Sequence, residues 1–219
     1  EAAIRAGDLD AVCAAAGNAL EECSGAKDNE AIKAALRENG AVTALMTGSG
    51  AAVFANLQLR AVPDDELERY DRVYYGVDWG WYPDFYAFVR AHYAPAQHTL
   101  FIWQEYTCNK TKNVDTAKHL LELGITANDL ITCDSAENKS VEDYRAYGLL
   151  ARGAEKGSNS REYSYKWLQS LRSIVIDNKR CPVACEEFIN CEYDRDKEGN
   201  VISGYPDGND HVIDAVRYA

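Results

Sequence analysis

Positive charge is what this 219-residue chain is short of: 23 Lys and Arg stand against 35 Asp and Glu, a net charge of −12. Charge of that sign repels nucleic acid in bulk, so any DNA contact has to rest on a local basic surface or on bound metal. No apolar run approaches the roughly 18 residues of a membrane-spanning helix, and no signal peptide opens the chain. The first residue is Glu1 and methionine occurs once, which reads as a fragment or a processed product. There is no Gly-x-x-x-x-Gly-Lys-Ser/Thr phosphate loop, no internal repeat and no low-complexity tract. Seven cysteines, an odd number without a secretory signal, fit a reduced setting. Cys181, Cys185 and Cys191 cluster at a spacing foreign to common zinc sites and read as buried or half-buried thiols. What is present, 47% hydrophobic and 26% charged residues, is the composition of a folded globular protein.

Two regions meet near residues 51–60. The first is Ala-rich, with helical spacing over 1–22 and 29–37, then apolar runs at 41–46 and 51–54 around the turn Thr47-Gly48-Ser49-Gly50. It reads as two helices and a strand–turn–strand, little core for an independent domain. In the second region, Asp64-Asp65-Glu66-Leu67 starts a helix. Strands are predicted over 72–77, 86–93 and 99–106 as an antiparallel meander, then over 130–133 and 174–177. Helices are predicted over 114–123, 140–147, 162–171, 182–190 and 210–218, with a hairpin over 191–204. Three strands followed by alternating helix and strand give an α/β fold on a mixed sheet flanked by helices.

Carboxylates stand where they should be costly. Asp78 closes the apolar strand Tyr74-Tyr75-Gly76-Val77, Asp134 closes Leu130-Ile131-Thr132-Cys133, and Asp214 sits among Val212, Ile213, Ala215 and Val216. An ionised carboxylate beside a core needs a partner or a metal, and strand ends of α/β sheets are where sites collect. If the two strands are neighbours and the last helix crosses their ends, the three converge. Hard oxygen ligands in such a cluster favour Mg²⁺ or Mn²⁺, and two such ions serve phosphodiester cleavage. Taken singly, each Asp also reads as a helix cap or turn residue, Asp134-Ser135-Ala136 above all.

Tyr75-Gly76-Val77-Asp78-Trp79-Gly80, Thr132 to Ser140 and Asn209 to Ala219 resemble, in order and separation, the nuclease domain of the large terminase subunit of tailed bacteriophages. The resemblance runs from about Val53 to the C-terminus and takes in Ala154 to Ser158, Trp167 to Leu171 and Pro206-Asp207. It implies an RNase H-like fold and a DNA endonuclease that cuts concatemeric double-stranded DNA during genome packaging. It makes Asp78, Asp134 and Asp214 the catalytic carboxylates and ligands of two divalent cations, Mg²⁺ or Mn²⁺. Portal protein and the small terminase subunit become partners, and the host bacterial cytoplasm the location. The family's Pro after the Tyr-Pro-Asp turn is Phe85 here, a loop departure expected to matter little.

Asp210 and His211 are further metal-ligand candidates from helical spacing, Asp210 equally a helix cap. Lys156 and Arg161, in a Gly/Ser segment, are candidates for a DNA phosphate, though lone basic loop residues are more often simply solvated. Glu105 ends a strand and could face the cluster, though a surface strand end is the better reading. Tyr74, Tyr75, Trp81, Tyr82, Phe85 and Tyr86 are aromatics for packing first and DNA stacking second.

The segment Ala44 to Ala55 resembles the C-terminal glycine-rich motif of small-molecule kinases that include diphosphocytidyl-methylerythritol kinase, of the GHMP kinase family. The chain then looks like two fragments: a kinase C-terminal-like appendage over 1–56 and a nuclease domain over 57–219. Neither ATPase nor kinase activity is expected from it. Of the net charge, −8 falls after residue 56, so DNA binding by the nuclease part alone should be weak and salt-sensitive. A metal-dependent endonuclease leads, followed by a catalytically silent assembly module and a nucleotide-binding kinase remnant.

Overall fold

The computed structural model describes Ala34 and residues 52–54, 56–194, 196–198, 200, 202, 204–205 and 208–219. The predicted N-terminal helices and the glycine-rich turn lie outside these residues. One compact unit spans Ala52–Ala219. Val53 and Phe54 belong to it: both are buried in the main core, and the Asn56 side chain donates to the carbonyls of Leu168 and Leu171.

Seven strands form one mixed sheet in the order β1-β7-β4-β3-β2-β5-β6. They are β1 (Leu57–Leu59), β2 (Tyr74–Asp78), β3 (Tyr86–Ala94), β4 (Thr99–Cys108), β5 (Leu130–Cys133), β6 (Leu150–Gly153) and β7 (Ser173–Ile176). The meander β2-β3-β4 is antiparallel, while β5, β6, β7 and β1 join in parallel. The helices are α1 (Asp64–Leu67), α2 (Asn113–Glu122), α3 (Asn138–Ala146), α4 (Ser160–Ser170), α5 (Pro182–Asn190) and α6 (His211–Tyr218), with a 3₁₀ turn at Ser135–Glu137. This is the flanked mixed sheet expected from the sequence.

Two strands are additional, and both are short edges. β1 is largely exposed, and β6 buries Ala151 between exposed Leu150 and Arg152, so neither carries an apolar run that periodicity could detect. In the expected hairpin over 191–204, backbone bonds join Asp194 to Gly204 and Ile202, and Asp196 to Asn200.

Both faces of the sheet carry core. One holds Tyr165, Phe188, Ile213 and Val216 against β3, β4 and β7; the other holds α2 and α3 against β2, β3 and β5. In the second, the Tyr144 hydroxyl, fully buried, donates within reach of Tyr86 Oη (2.8 Å) and Thr116 Oγ1 (2.9 Å). The five described cysteines are free thiols, and burial pushes those of Cys133 and Cys191 up to about 12. Among the described residues no helix is long and apolar enough to cross a membrane.

One position decides how α6 meets the sheet. A Cβ on Gly76, in the middle of β2, would stand 1.8 Å from the carbonyl oxygen of Ala215. Glycine therefore lets backbone approach backbone, and α6 lies on β2 without a side chain between them. Gly76→Ala is expected to lower stability by about 1–3 kcal/mol or more, the range for overpacking, read as a lower urea midpoint. An unchanged midpoint would refute the close approach.

Candidate metal and phosphodiester site

Asp78 is the last residue of β2, and Asp134 follows the last residue of β5. These strands run parallel in adjacent register, Val77 opposite Cys133, and the Asp134 N–H continues the ladder by donating to the Val77 carbonyl at 2.9 Å. Both carboxylates thus leave the same edge of the sheet. Asp214 reaches that edge from α6, whose Val212, Ile213, Ala215 and Val216 are buried.

α6 is held in place by carboxylates from other elements. Glu187 of α5 accepts the N–H groups of Val212 (2.8 Å) and Ile213 (3.0 Å), taking up donors that the helix itself cannot pair. Glu105 of β4 does the same for α5, accepting from Val183 (2.8 Å) and Ala184 (2.7 Å). Glu105, expected at a surface strand end, is instead a cap delivered from the sheet.

The three aspartates sense one another. Burial pushes Asp78 up to about 6, opposed by a hydrogen bond with His211 and reinforced by the negative charges of Asp214 and Asp134. The Tyr218 hydroxyl faces all three; burial, then those charges, push its pKa upward. It donates to Asp214 Oδ2 at 3.2 Å.

Each carboxylate is engaged by a cationic or titratable side chain of the chain itself. His211 Nδ1 lies 3.1 Å from Asp78 Oδ2, and its Nε2 lies 3.6 Å from Asp84 Oδ1. Lys156 pairs with Asp134 and stands over the Tyr218 ring at 4.7 Å. Arg217 pairs with Asp214. Among the described residues, no three acidic, imidazole or thiol groups are drawn together tightly enough to hold a cation as they stand.

The remaining expected residues are distributed differently. Asp210 is buried and engaged by Arg161, by the Tyr165 hydroxyl (3.3 Å) and by the Gly208 N–H (3.3 Å). Arg161 accordingly serves a buried carboxylate, in place of the solvated loop position expected. Asp134 is also the turn residue its sequence suggested, accepting the Ala136 N–H at 2.8 Å. Phe85, the loop departure expected to matter little, packs edge-on against His211 with centroids 4.7 Å apart. Tyr86 is core, whereas Trp81 and Tyr82 are exposed on the loop after β2. Glu187, Arg217 and Tyr218 received no role from the sequence. Arg217 and Tyr218 lay inside a recognised motif, but only the fold reveals which carboxylate they touch.

The family model described as terminase RNAseH like domain matches residues 78–219. A second, for the C-terminal part of GHMP kinases, matches residues 1–75; its last third overlaps β1 and the start of β2, which belong to the seven-stranded sheet. The large terminase subunit of Bacillus phage SPP1 is 36% identical over 176 residues, covering 78% of this chain and 42% of that protein. The PBSX phage terminase large subunit of Bacillus subtilis (strain 168) is 33% identical over 144 residues, 66% of this chain and 33% of that protein. The chain thus spans less than half the length of these relatives. Among solved structures, the nuclease domain of the SPP1 large terminase with bound Mn superimposes with a TM-score of 0.71 at 35% identity, over 76% of this chain and 96% of that one. The P22 large terminase nuclease domain, at 16% identity and a TM-score of 0.54 over 78% and 90%, shares the fold.

The titrating groups set a pH dependence. Asp78 and Glu187 have folded pKa values above their unfolded ones, so both favour the folded state when protonated. Their contributions fade as pH rises from 3.8 to about 6 for Asp78 and from 4.5 to about 8 for Glu187, where burial outweighs its two N–H partners. His211, raised by its bond to Asp78, has the same sign: its contribution is present below 6.5 and is lost as pH rises. In chelator, the urea midpoint should therefore fall between about pH 5 and pH 8, with Asp78→Asn flattening the lower part and Glu187→Gln the upper. A midpoint that rises across this window would contradict these assignments.

Proposed function

The chain belongs to the terminase RNAseH-like domain family, and on that premise we propose that it is a divalent-metal-dependent endodeoxyribonuclease of the large terminase type. The observation that carries the reading is the meeting of Asp78 and Asp134 at the ends of adjacent parallel strands under the helix that bears His211 and Asp214. The related SPP1 nuclease domain, solved with bound Mn, supports the same choice of cofactor.

The donor set fits such ions. Three carboxylates offer the hard oxygen ligands that Mg²⁺ and Mn²⁺ take, and the His211 imidazole beside them is a borderline donor. Asp78 is under-compensated: burial, with the negative charges of Asp214 and Asp134, holds it above its ordinary value despite its bond with His211. Asp78, whose charge is coupled to both other aspartates, would hold the ions together with Asp134 and Asp214, with His211 beside Asp78 as a further candidate. Asp210, committed to Arg161, stays outside it. When bound, a pair of Mg²⁺ or Mn²⁺ ions supplies an activated water near neutral pH and neutralises charge on the scissile phosphate.

The chain's own residues do the rest. Tyr218 holds Asp214 in orientation through its hydroxyl. Lys156, paired with Asp134, would be free to meet a phosphate were that carboxylate to hold an ion. No nucleophilic side chain is required, and backbone contacts make the cut largely indifferent to sequence. The substrate is concatemeric double-stranded DNA in the host bacterial cytoplasm. The packaging motor, the portal protein and the small terminase subunit keep that DNA near a domain too acidic to hold it well alone.

The test is nicking of supercoiled plasmid by the full chain with Mn²⁺, Mg²⁺ or chelator. Cutting should require metal and fall by about 100-fold or more in Asp78→Ala, Asp134→Ala and Asp214→Ala, beyond the 10–100-fold that supporting groups usually contribute. No cutting by folded wild type with either ion would overturn the reading in favour of a silent assembly module.

A further inference from the structure

Beside the carboxylates lies a cavity of about 230 Å³ lined by Thr132, Arg152, Lys156, Ser160, Arg217 and Tyr218, among others. In a chain of net charge −12, three cationic side chains converge on it from three elements: Arg152 from β6, Lys156 from the loop after β6, and Arg217 from α6. Glu155 lines it as well, and its carboxylate is the opposing charge on the cavity wall.

Three observations point to an oxyanion there. First, Arg217 places one nitrogen on Asp214, yet its side chain is only 5% exposed and its buried Nε has no hydrogen-bond partner. A buried guanidinium nitrogen without a partner is costly and marks an acceptor to come. Second, Ser160 opens α4, an eleven-residue helix whose N-cap, Asn159, has φ 63° and makes no side-chain cap bond. The positive end of that helix therefore adjoins the cavity with its Ser160 N–H turned to the Gly157 carbonyl (3.2 Å) and no side-chain cap. Third, Arg152 makes one long bond, Nε to Thr132 Oγ1 at 3.3 Å, leaving most of its fork of donors uncommitted.

We propose that this cavity is a phosphate subsite, separate from the carboxylate cluster, that holds a DNA backbone phosphate neighbouring the scissile one. The inference rests on the nuclease reading and extends it: Arg152 and the start of α4 fix the register of the strand, with Arg217 spanning both sites. Two of the cations are shared with the cluster, Lys156 with Asp134 and Arg217 with Asp214, so an occupied carboxylate cluster and an occupied phosphate subsite favour each other.

The test uses the full chain in chelator, titrated with inorganic phosphate and followed by the amide NMR signals of Ser160, Arg161 and Glu162. Saturable shifts are expected, with affinity about five- to tenfold weaker in Arg152→Gln and lost in Ser160→Asp, while Lys118→Gln on α2 behaves as wild type. Binding of a short duplex in chelator should lose about one unit of salt slope in Arg152→Gln. Absence of saturable shifts in folded wild type would overturn the subsite. Phosphate shifts with an unchanged duplex salt slope would overturn its assignment to the DNA backbone and leave a site for free phosphate. Loss of plasmid nicking with every metal, with the phosphate shifts intact, would sink the nuclease reading and leave the anion site standing.

Discussion

The contact between α6 and β2 at Gly76 governs the rest of the structure. Because no side chain separates the strand from the Ala215 carbonyl, the helix rides at backbone distance over the strand that ends in Asp78. That closeness brings His211 and Asp214 to the carboxyl edge of the sheet, and with them Arg217 and Tyr218. The parallel pairing of β2 with β5 supplies the other half, delivering Asp134 to the same edge. Neither contact needs the carboxylates. The scaffold is fixed by burial and ladder bonds, and the charged groups are carried into place at a cost that packing offsets.

Charge is handled locally in a chain that is acidic throughout. Lys156, Arg217 and His211 each take one carboxylate of the cluster, so few of the basic residues near the site are idle. Arg161 is committed to Asp210 in the same way. Lys156 and Arg217 each stand beside both a carboxylate of the cluster and the cavity next to it.

Much of this was legible in the sequence, for particular reasons. Asp78 and Asp134 stood out because each ends a short apolar run, and runs of that kind are buried strands. Every predicted strand and helix of the second region lies within two residues of its observed bounds, except the hairpin, much of which lies outside the described residues. β1 and β6 escaped because edge strands of three and four residues bury too little to leave a pattern. Glu187 and Glu105 escaped for a different reason: their partners are distant in sequence, and a carboxylate that caps a remote helix looks, in one dimension, like a solvated one. Phe85 was legible as a departure, but its contact with His211 was not.

The two borrowed caps have a consequence for how the molecule comes together. α5 finds acceptors for its first N–H groups only once β4 is in the sheet, and α6 finds them only once α5 has docked. The carboxylate edge is therefore completed last, by the C-terminal helix, on a foundation already laid. Asp78 and Asp134 are joined by the β2–β5 ladder alone, whereas Asp214 reaches them only when α6 has docked on Glu187.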